Sequence, residues 1–285
     1  FRRQQLWRNE KNKMNIIGLG NTGCNIAKEF ENYPQYNVYY IDSEPRSGKN
    51  SYLMPKYDHP EKYEANCPDL AHFLPKQGEI LFILGGSGDI TGASLRILHA
   101  VKQCDITILY VKADQSLLST VGQLQQRATF HILQEYARSG VFKEIFLLDN
   151  LMISAIIGDV PIADYYSSIN KVVAPVIHWL NVFNNSKPVM TTFSPLAETS
   201  RIKTISMVDM DTGSEKMFFS LDNAIEARYY YAISAKSLKE DSSLNNKIRN
   251  QIKARDVKTS FAIYETAYDN NFCYGVVCSR QIAEF

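Results

Sequence analysis

The sequence predicts an α/β protein in which a parallel-sheet domain is joined by a central helix to a smaller α/β second domain. Three observations predict this fold. Short apolar runs alternate with amphipathic segments over residues 14–148, which is typical of a parallel sheet covered on both faces. Residues 164–181 are apolar with helical spacing and predict a largely buried central helix. After residue 184, predicted strands dominate, which indicates a second unit.

The composition is that of an ordinary globular protein. Hydrophobic residues make up 45% of the 285 residues, charged residues 21%, and the formal net charge is +1. This composition excludes a disordered chain. The near-zero net charge excludes a global electrostatic attraction to nucleic acid or to an anionic membrane. No apolar run reaches the roughly 18 residues that cross a bilayer, so we expect a cytoplasmic protein without a membrane segment or a nucleic-acid patch. Five cysteines without a CxxC motif predict reduced thiols.

The order of predicted elements sets the domain boundaries. Strands are predicted in the first unit at residues 14–19, 36–42, 79–84, 105–111 and 143–148. Residues 43–69 contain four prolines and are predicted to be a long surface loop. In the second unit we predict strands at 201–210, 227–234, 257–265 and 272–279, with helices at 219–226 and 238–255. We therefore expect an N-terminal extension (1–13), a first domain (14–183) and a second domain (184–285).

A glycine-rich turn follows the first predicted strand and opens a helix. It contains Gly18, Gly20 and Gly23 in the sequence GLGNTG. The backbone N–H groups of such a turn, together with the positive end of the helix, can bind a phosphate. Asp42 ends the next strand about 20 residues later, so the pattern also fits an NAD(P) fingerprint in which Asp42 accepts from a ribose hydroxyl. A purely structural turn is the third interpretation.

A second glycine-rich turn, GGSGDITG at residues 85–92, follows the next long apolar strand. Because the carboxyl ends of parallel strands meet at one edge of a sheet, both turns are expected to converge on a single site. Two such turns could contact a chain of phosphates from both sides, which favours a nucleoside triphosphate over NAD(P). The GxxxxGK[ST] motif of P-loop proteins is absent from the sequence.

The two turns, their order and the segments after them resemble the tubulin/FtsZ superfamily of GTPases, particularly the TubZ-type proteins of plasmids and phages. GLGNTGCN resembles the first phosphate loop of that family, and GGSGDITGA resembles its signature loop. The segment FLLDN (146–150) resembles the approach to the nucleotide, and YYSSINKVV (165–173) resembles the start of the central helix. The resemblance covers residues 14–181 and continues more weakly through the second domain.

The resemblance implies a site for GTP or GDP with Mg²⁺. The α and β phosphates would be contacted by Gly20, Asn21, Thr22 and Gly23, with Asn25 near the base. The β and γ phosphates would be contacted by Gly85, Gly86, Ser87, Gly88, Thr91 and Gly92. Tyr166 would stack on guanine, and Asn170 would hydrogen-bond its edge, which rejects adenine by leaving polar groups unmatched.

The sequence departs from the family pattern at three places. The second turn is one residue longer than the family's GGGTGTG and carries Asp89, which would repel phosphate unless it faces Mg²⁺ or solvent. Asp89 is therefore the candidate metal ligand. The segment after Val111 lacks the carboxylate and arginine with which FtsZ holds ribose and base. Finally, the family's pair of catalytic acids after the central helix is missing, and Glu198 is the candidate that remains.

The function implied by the resemblance is a GTP-binding protein that polymerises head to tail, with weak or absent hydrolysis. A head-to-tail contact does not close on itself, so it produces filaments. In plasmids and phages such filaments position DNA, which implies a bacterial or phage-infected host cytosol and a possible DNA-adaptor protein. The sequence ends soon after its last predicted strand, so a reduced member is expected. The open alternatives are an NAD(P)-binding protein and a non-hydrolysing structural homologue.

Overall fold

The computed structural model describes residues 13–284, so the predicted N-terminal extension lies outside the described residues except for Lys13. Over this range the chain forms strands β1 (Met14–Leu19), β2 (Tyr36–Asp42), β3 (Asn50–Leu53), β4 (Glu79–Gly85), β5 (Asp105–Lys112), β6 (Glu144–Asp149), β7 (Met190–Thr191), β8 (Ile202–Val208), β9 (Glu215–Met217), β10 (Glu226–Ser234), β11 (Lys258–Thr266) and β12 (Phe272–Ser279).

These strands form one continuous sheet in the order β3-β2-β1-β4-β5-β6-β8-β12-β10-β11-β7, with β9 paired to β8. Strands β1 to β6 are mutually parallel, and β8 continues the sheet parallel to β6. The remaining strands mix both directions, since β12 is antiparallel to β8 and β10 whereas β10 and β11 are parallel. The boundary predicted between residues 183 and 184 falls at the end of the long helix before β7 and stays a prediction.

Helices cover both faces of this sheet. They are α1 (Gly20–Glu29), α2 (Pro60–Ala65), α3 (Ser94–Ala100), α4 (Thr120–Arg138), α5 (Asn150–Ile157), α6 (Tyr165–Asn184), α7 (Ala235–Glu240) and α8 (Leu244–Lys253). The apolar side chains of α2, α3, α4 and α8 belong to one buried cluster, and those of α1, α5 and α6 belong to another. The predicted α/β fold, with a parallel sheet covered on both faces, is confirmed.

The cysteines follow the same division. Cys273 lies in the first buried cluster and Cys278 in the second, because the five-residue spacing places them on opposite faces of β12. All five cysteines are free thiols, as the sequence predicts. Burial raises the pKa of the Cys278 thiol to about 11, so this thiol stays protonated near neutral pH.

Three sequence predictions for secondary structure were wrong. Residues 43–69 contain a strand and a helix, β3 and α2, rather than loop alone. Residues 219–226 form no helix, because the chain on both sides of them is bonded to strands: the Phe218 N–H, just before the segment, donates to the Ile205 carbonyl of β8, and the Ile225 N–H donates to the Cys278 carbonyl of β12. The single helix predicted at 238–255 is divided into α7 and α8. Asp241 breaks it by accepting bonds from the Ser243 N–H and hydroxyl at 2.9 and 2.6 Å.

Candidate nucleotide site

The first glycine-rich turn connects β1 to α1 at the carboxyl edge of the parallel strands. Gly20 has a φ of +66°, a conformation that residues with a side chain rarely adopt. A Cβ on Gly23 would lie 2.2 Å from the Ile83 carbonyl oxygen, so glycine lets α1 pack directly on β4. No side chain caps the start of α1. The first N–H groups of this helix are therefore free of side-chain caps and suited to an anionic ligand.

The second glycine-rich turn is in contact with the first. A Cβ on Gly20 would lie 2.7 Å from the Ile90 Cγ2 atom, and a Cβ on Gly85 would lie 3.1 Å from the Thr22 side chain. This contact arises because β4 pairs directly with β1 in the sheet. The predicted convergence of the two turns is thus a feature of the structure. The nucleotide contacts of their residues stay predictions.

Hydrogen bonds within and beneath the second turn fix its shape. The Thr91 hydroxyl donates to the Gly88 carbonyl at 2.6 Å and accepts from the Gln125 amide nitrogen at 3.0 Å. Gly88 is exposed, and a Cβ there would meet nothing closer than Ile90 Cγ2 at 3.9 Å. The exposed backbone at Gly88 and the half-buried Ser87 therefore form the open part of this turn.

Two of the predicted phosphate-contacting glycines have close packing partners. A Cβ on Gly86 would lie 1.9 Å from the Tyr110 hydroxyl oxygen, and the O–H group of Tyr110 donates to the Gln126 backbone carbonyl at 3.0 Å. A Cβ on Gly92 would lie 2.0 Å from the Pro60 carbonyl oxygen at the start of α2. Gly86 and Gly92 thus allow the turn to pack closely against β5 and α2. Their phosphate contacts stay predictions.

Asp89 lies at the exposed side of the second turn and forms no ion pair with another residue of 13–284. It borders an open cleft of about 570 Å³, lined also by Lys56, Tyr57, Asp58 and Lys62. Across residues 13–284 there is no group of three His, Cys, Asp or Glu side chains that could hold a metal ion. Mg²⁺ at nucleotide sites is bound through one or two carboxylates together with phosphates and water. Asp89 as its ligand stays a prediction.

The central helix α6 runs beside α1 on the same face of the sheet. His178 stacks on Tyr33 at 3.8 Å between ring centroids and hydrogen-bonds the Tyr36 hydroxyl at 3.0 Å, at the amino end of β2. Tyr166 precedes His178 by about 18 Å of helix, which places the start of α6 toward the carboxyl edge. Tyr166 is 58% exposed and Asn170, one turn later, is half-buried. Their guanine contacts stay predictions.

Sequence reasoning missed Arg46, which lies in the segment between β2 and β3. Its guanidinium donates to the side-chain Oδ1 atoms of Asn25 at 2.8 Å and Asn21 at 2.9 Å and, through Nε, to the Asp42 carboxylate at 2.7 Å. The other Asp42 oxygen accepts from the Ser43 N–H at 2.8 Å. Both Asp42 oxygens are therefore engaged, which disfavours the ribose role that the NAD(P) interpretation gave this residue. An arginine four positions after a strand-ending aspartate was the available sequence signal.

Glu198 is not near its own glycine-rich turns. It is exposed, and its backbone carbonyl accepts from Arg201, which also donates to the Phe142 carbonyl at 3.1 Å, just before β6. Because β8 starts parallel to β6, with Ile202 opposite Ile145, Glu198 lies at the amino edge of the sheet. The turns lie at the carboxyl edge. A contribution of Glu198 to hydrolysis therefore requires the nucleotide of another copy.

Comparison with known proteins places the fold. No protein-family model and no curated protein matches the sequence. Solved structures do match. An FtsZ dimer from M. jannaschii is 10% identical, with a TM-score of 0.70 over 98% of this chain and 92% of that chain. GDP-form protofilaments of TubZ from Bacillus thuringiensis serovar israelensis are 16% identical, with a TM-score of 0.69 over 95% and 88%. CetZ from Methanosaeta thermophila strain DSM 6194 is 12% identical, with a TM-score of 0.66 over 94% and 86%.

The chain therefore has the tubulin/FtsZ fold, as the sequence resemblance implied. Within that fold it is similar to FtsZ, TubZ and CetZ alike, at TM-scores of 0.66 to 0.70. The comparisons do not favour an NAD(P)-binding protein. No helix within residues 13–284 is both long and apolar enough to cross a membrane.

Proposed function

We propose that the chain binds GTP and GDP between its two glycine-rich turns and assembles head to tail into filaments. One observation carries the nucleotide site: the two turns touch, with the Gly20 Cβ position 2.7 Å from Ile90 and the Gly85 Cβ position 3.1 Å from Thr22. The structures with the same fold include a dimer of FtsZ and protofilaments of TubZ in a GDP form, which supports both parts of the proposal.

In this proposal the phosphates lie over backbone rather than over cationic side chains. The uncapped N–H groups at the start of α1 and the open backbone at Gly88 would donate to phosphate oxygens. Tyr166 would stack on guanine while Asn170 bonds its edge. Mg²⁺ beside Asp89 would neutralise phosphate charge.

The placement of the proposed site and of Glu198 at opposite edges of one sheet supports head-to-tail assembly. A second copy stacked along this axis would bring the segment around Glu198 toward the turns of its neighbour. Glu198 is the single acid in residues 165–208, so we propose weak or absent hydrolysis. A role in positioning plasmid or phage DNA, with an adaptor protein, rests on the sequence resemblance to TubZ-type proteins.

Substitution of Gly88 tests the nucleotide site without crowding it. Its φ of −82° suits any residue, and a Cβ has room there. The Gly88→Asp variant should weaken binding of a fluorescent GTP analogue at least about tenfold, because a carboxylate beside the phosphates repels them. The matched Gly88→Asn variant should stay within about threefold of the wild type, since amide and carboxylate have the same size.

Equal affinity of the Asp and Asn variants would contradict the proposed site. Circular dichroism melting curves of both variants check that the fold is retained. An NADH titration tests the NAD(P) alternative directly. Phosphate release measured together with light scattering distinguishes a hydrolysing filament from a non-hydrolysing structural homologue.

A further inference from the structure

Arg46 connects three segments at the mouth of the first turn. Asp42 ends β2, Asn21 and Asn25 belong to the first two turns of α1, and Arg46 lies in the segment that follows β2. The Arg46 guanidinium bonds all three side chains. Its side chain is 21% exposed, whereas the Asp42 side chain is 5% exposed. The network therefore has a buried anionic end and an open end that faces the first turn.

The charge at the buried end matters for a phosphate ligand. An unneutralised carboxylate at Asp42 would lie one arginine side chain away from Asn21, which the sequence resemblance places at the phosphates. Burial reduces screening by water, so the repulsion between this carboxylate and a polyphosphate would be strong. The ion pair with Arg46 cancels that charge.

The shape of the guanidinium matters as well. Arg46 uses Nε and one terminal nitrogen on Asp42, and its terminal nitrogens also donate to Asn21 and Asn25. A planar fork with five donors can make these bonds at once, whereas a lysine ammonium cannot. The side-chain Nδ2 atom of Asn25 in turn donates to the side-chain Oδ1 atom of Asn21 at 3.1 Å. Arg46 thus fixes the orientation of both amides.

We propose that Arg46 is a positioning residue that neutralises Asp42 and orients Asn21 and Asn25, so that the first turn accepts the phosphates of a guanine nucleotide. This inference rests on the proposed function. Arg46 would therefore raise the affinity for the nucleotide in two ways, by cancelling the Asp42 charge and by fixing the asparagine amides.

A charge-reversal cycle on the full chain tests the proposal, with a fluorescent GTP analogue as the probe. Arg46→Ala should weaken binding at least about tenfold, because the Asp42 charge is left unpaired. Adding Asp42→Asn to Arg46→Ala should restore affinity to within about threefold of the wild type, because the repulsive charge is gone. Arg46→Lys keeps the charge and loses the fork, so a loss of about threefold is expected.

A purely structural role for Arg46 predicts a different pattern. In that case Asp42→Asn would not restore the affinity lost in Arg46→Ala, and this result would overturn the proposal. Wild-type affinity in Arg46→Ala would overturn it too. Failure of the wild-type chain to bind the GTP probe would instead overturn the proposed function itself. Melting curves check that each variant folds. If Arg46→Ala does not fold, the double variant decides: affinity within about threefold of the wild type supports the proposal, and a loss of at least about tenfold overturns it.

Discussion

His178 lies against the segment that connects α1 to β2 and against the start of β2. It stacks on Tyr33, bonds the Tyr36 hydroxyl, and has its pKa lowered from 6.5 to about 4 by burial. Between these two values the unfolded chain binds a proton on this side chain that the folded chain does not. Stability from the neutral imidazole is therefore fully present above pH 6.5 and is lost as the pH falls toward 4.

We expect the free energy of unfolding to fall by about 1–2 kcal/mol through this residue between about pH 7 and pH 5, after allowance for its partial exposure. Urea unfolding of the wild type and of His178→Gln measures this contribution, because the variant has no imidazole at this position. The same substitution at an exposed position, His72→Gln, is the control. An identical pH dependence in wild type and His178→Gln would contradict the prediction.

The junction between β6 and β8 is the element that joins the two halves of the sheet. Only two register pairs connect these strands, Ile145 with Ile202 and Phe146 with Lys203. An ion pair between Lys203 and Glu144 lies across them, and the Lys203 ammonium is 5.9 Å from the Phe146 ring centre. Both charged side chains are largely buried, at 9% and 20% exposure, so each needs its partner.

We predict that Lys203→Met lowers the free energy of unfolding by about 2–4 kcal/mol, because Glu144 loses its buried partner. Adding Glu144→Leu should recover part of this loss, since no unpaired charge then remains. Lys216→Met, at an exposed position on β9, is the matched control and should change stability by less than about 0.5 kcal/mol. Urea unfolding measures all three. Equal effects of the Lys203 and Lys216 variants would show that the ion pair does not stabilise the junction.

The sequence predicts those helices and strands whose apolar residues recur with the spacing of the element itself. The apolar run at residues 36–42 is found as β2 with the same bounds, Tyr36–Asp42. Strand β3 has four residues, and its pairing with β2 is not visible in its own sequence. The residues at 219–226 have helical spacing, yet the chain is bonded to β8 just before them, through Phe218, and to β12 near their end, through Ile225. Long-range pairing overrides local propensity in both cases.

The same division holds at the site. The adjacency of the two glycine-rich turns follows from parallel strands alone, because their carboxyl ends share an edge. The contacts of Arg46 with Asn21 and Asn25 join residues that are 25 and 21 positions apart and depend on the path of the chain after β2. No spacing rule includes that path, so the network required the structure.

For the whole molecule, the decisive feature is the distance between the two halves of the proposed active site. The turns lie at the carboxyl edge of the sheet and Glu198 lies beyond its amino edge, next to Arg201 and Phe142. In a head-to-tail filament each nucleotide would meet the Glu198 of a neighbour. Wild-type filaments are then expected to release phosphate slowly, and monomers should release none.

Mixing two defective variants tests this arrangement. Gly88→Asp should bind GTP poorly but keeps Glu198, whereas Glu198→Gln should bind GTP but lacks the carboxylate. In a mixed filament the first variant supplies Glu198 to the nucleotide of the second. Phosphate release should exceed the sum of the separate variants at least about tenfold, because a positioned base contributes about 100-fold or more. The double variant Gly88→Asp/Glu198→Gln is the matched inert partner. Gly88→Asp and the double variant are each mixed with Glu198→Gln, and sedimentation checks that both enter its filaments equally. If the two mixtures then release phosphate at the same rate, Glu198 does not act across the interface.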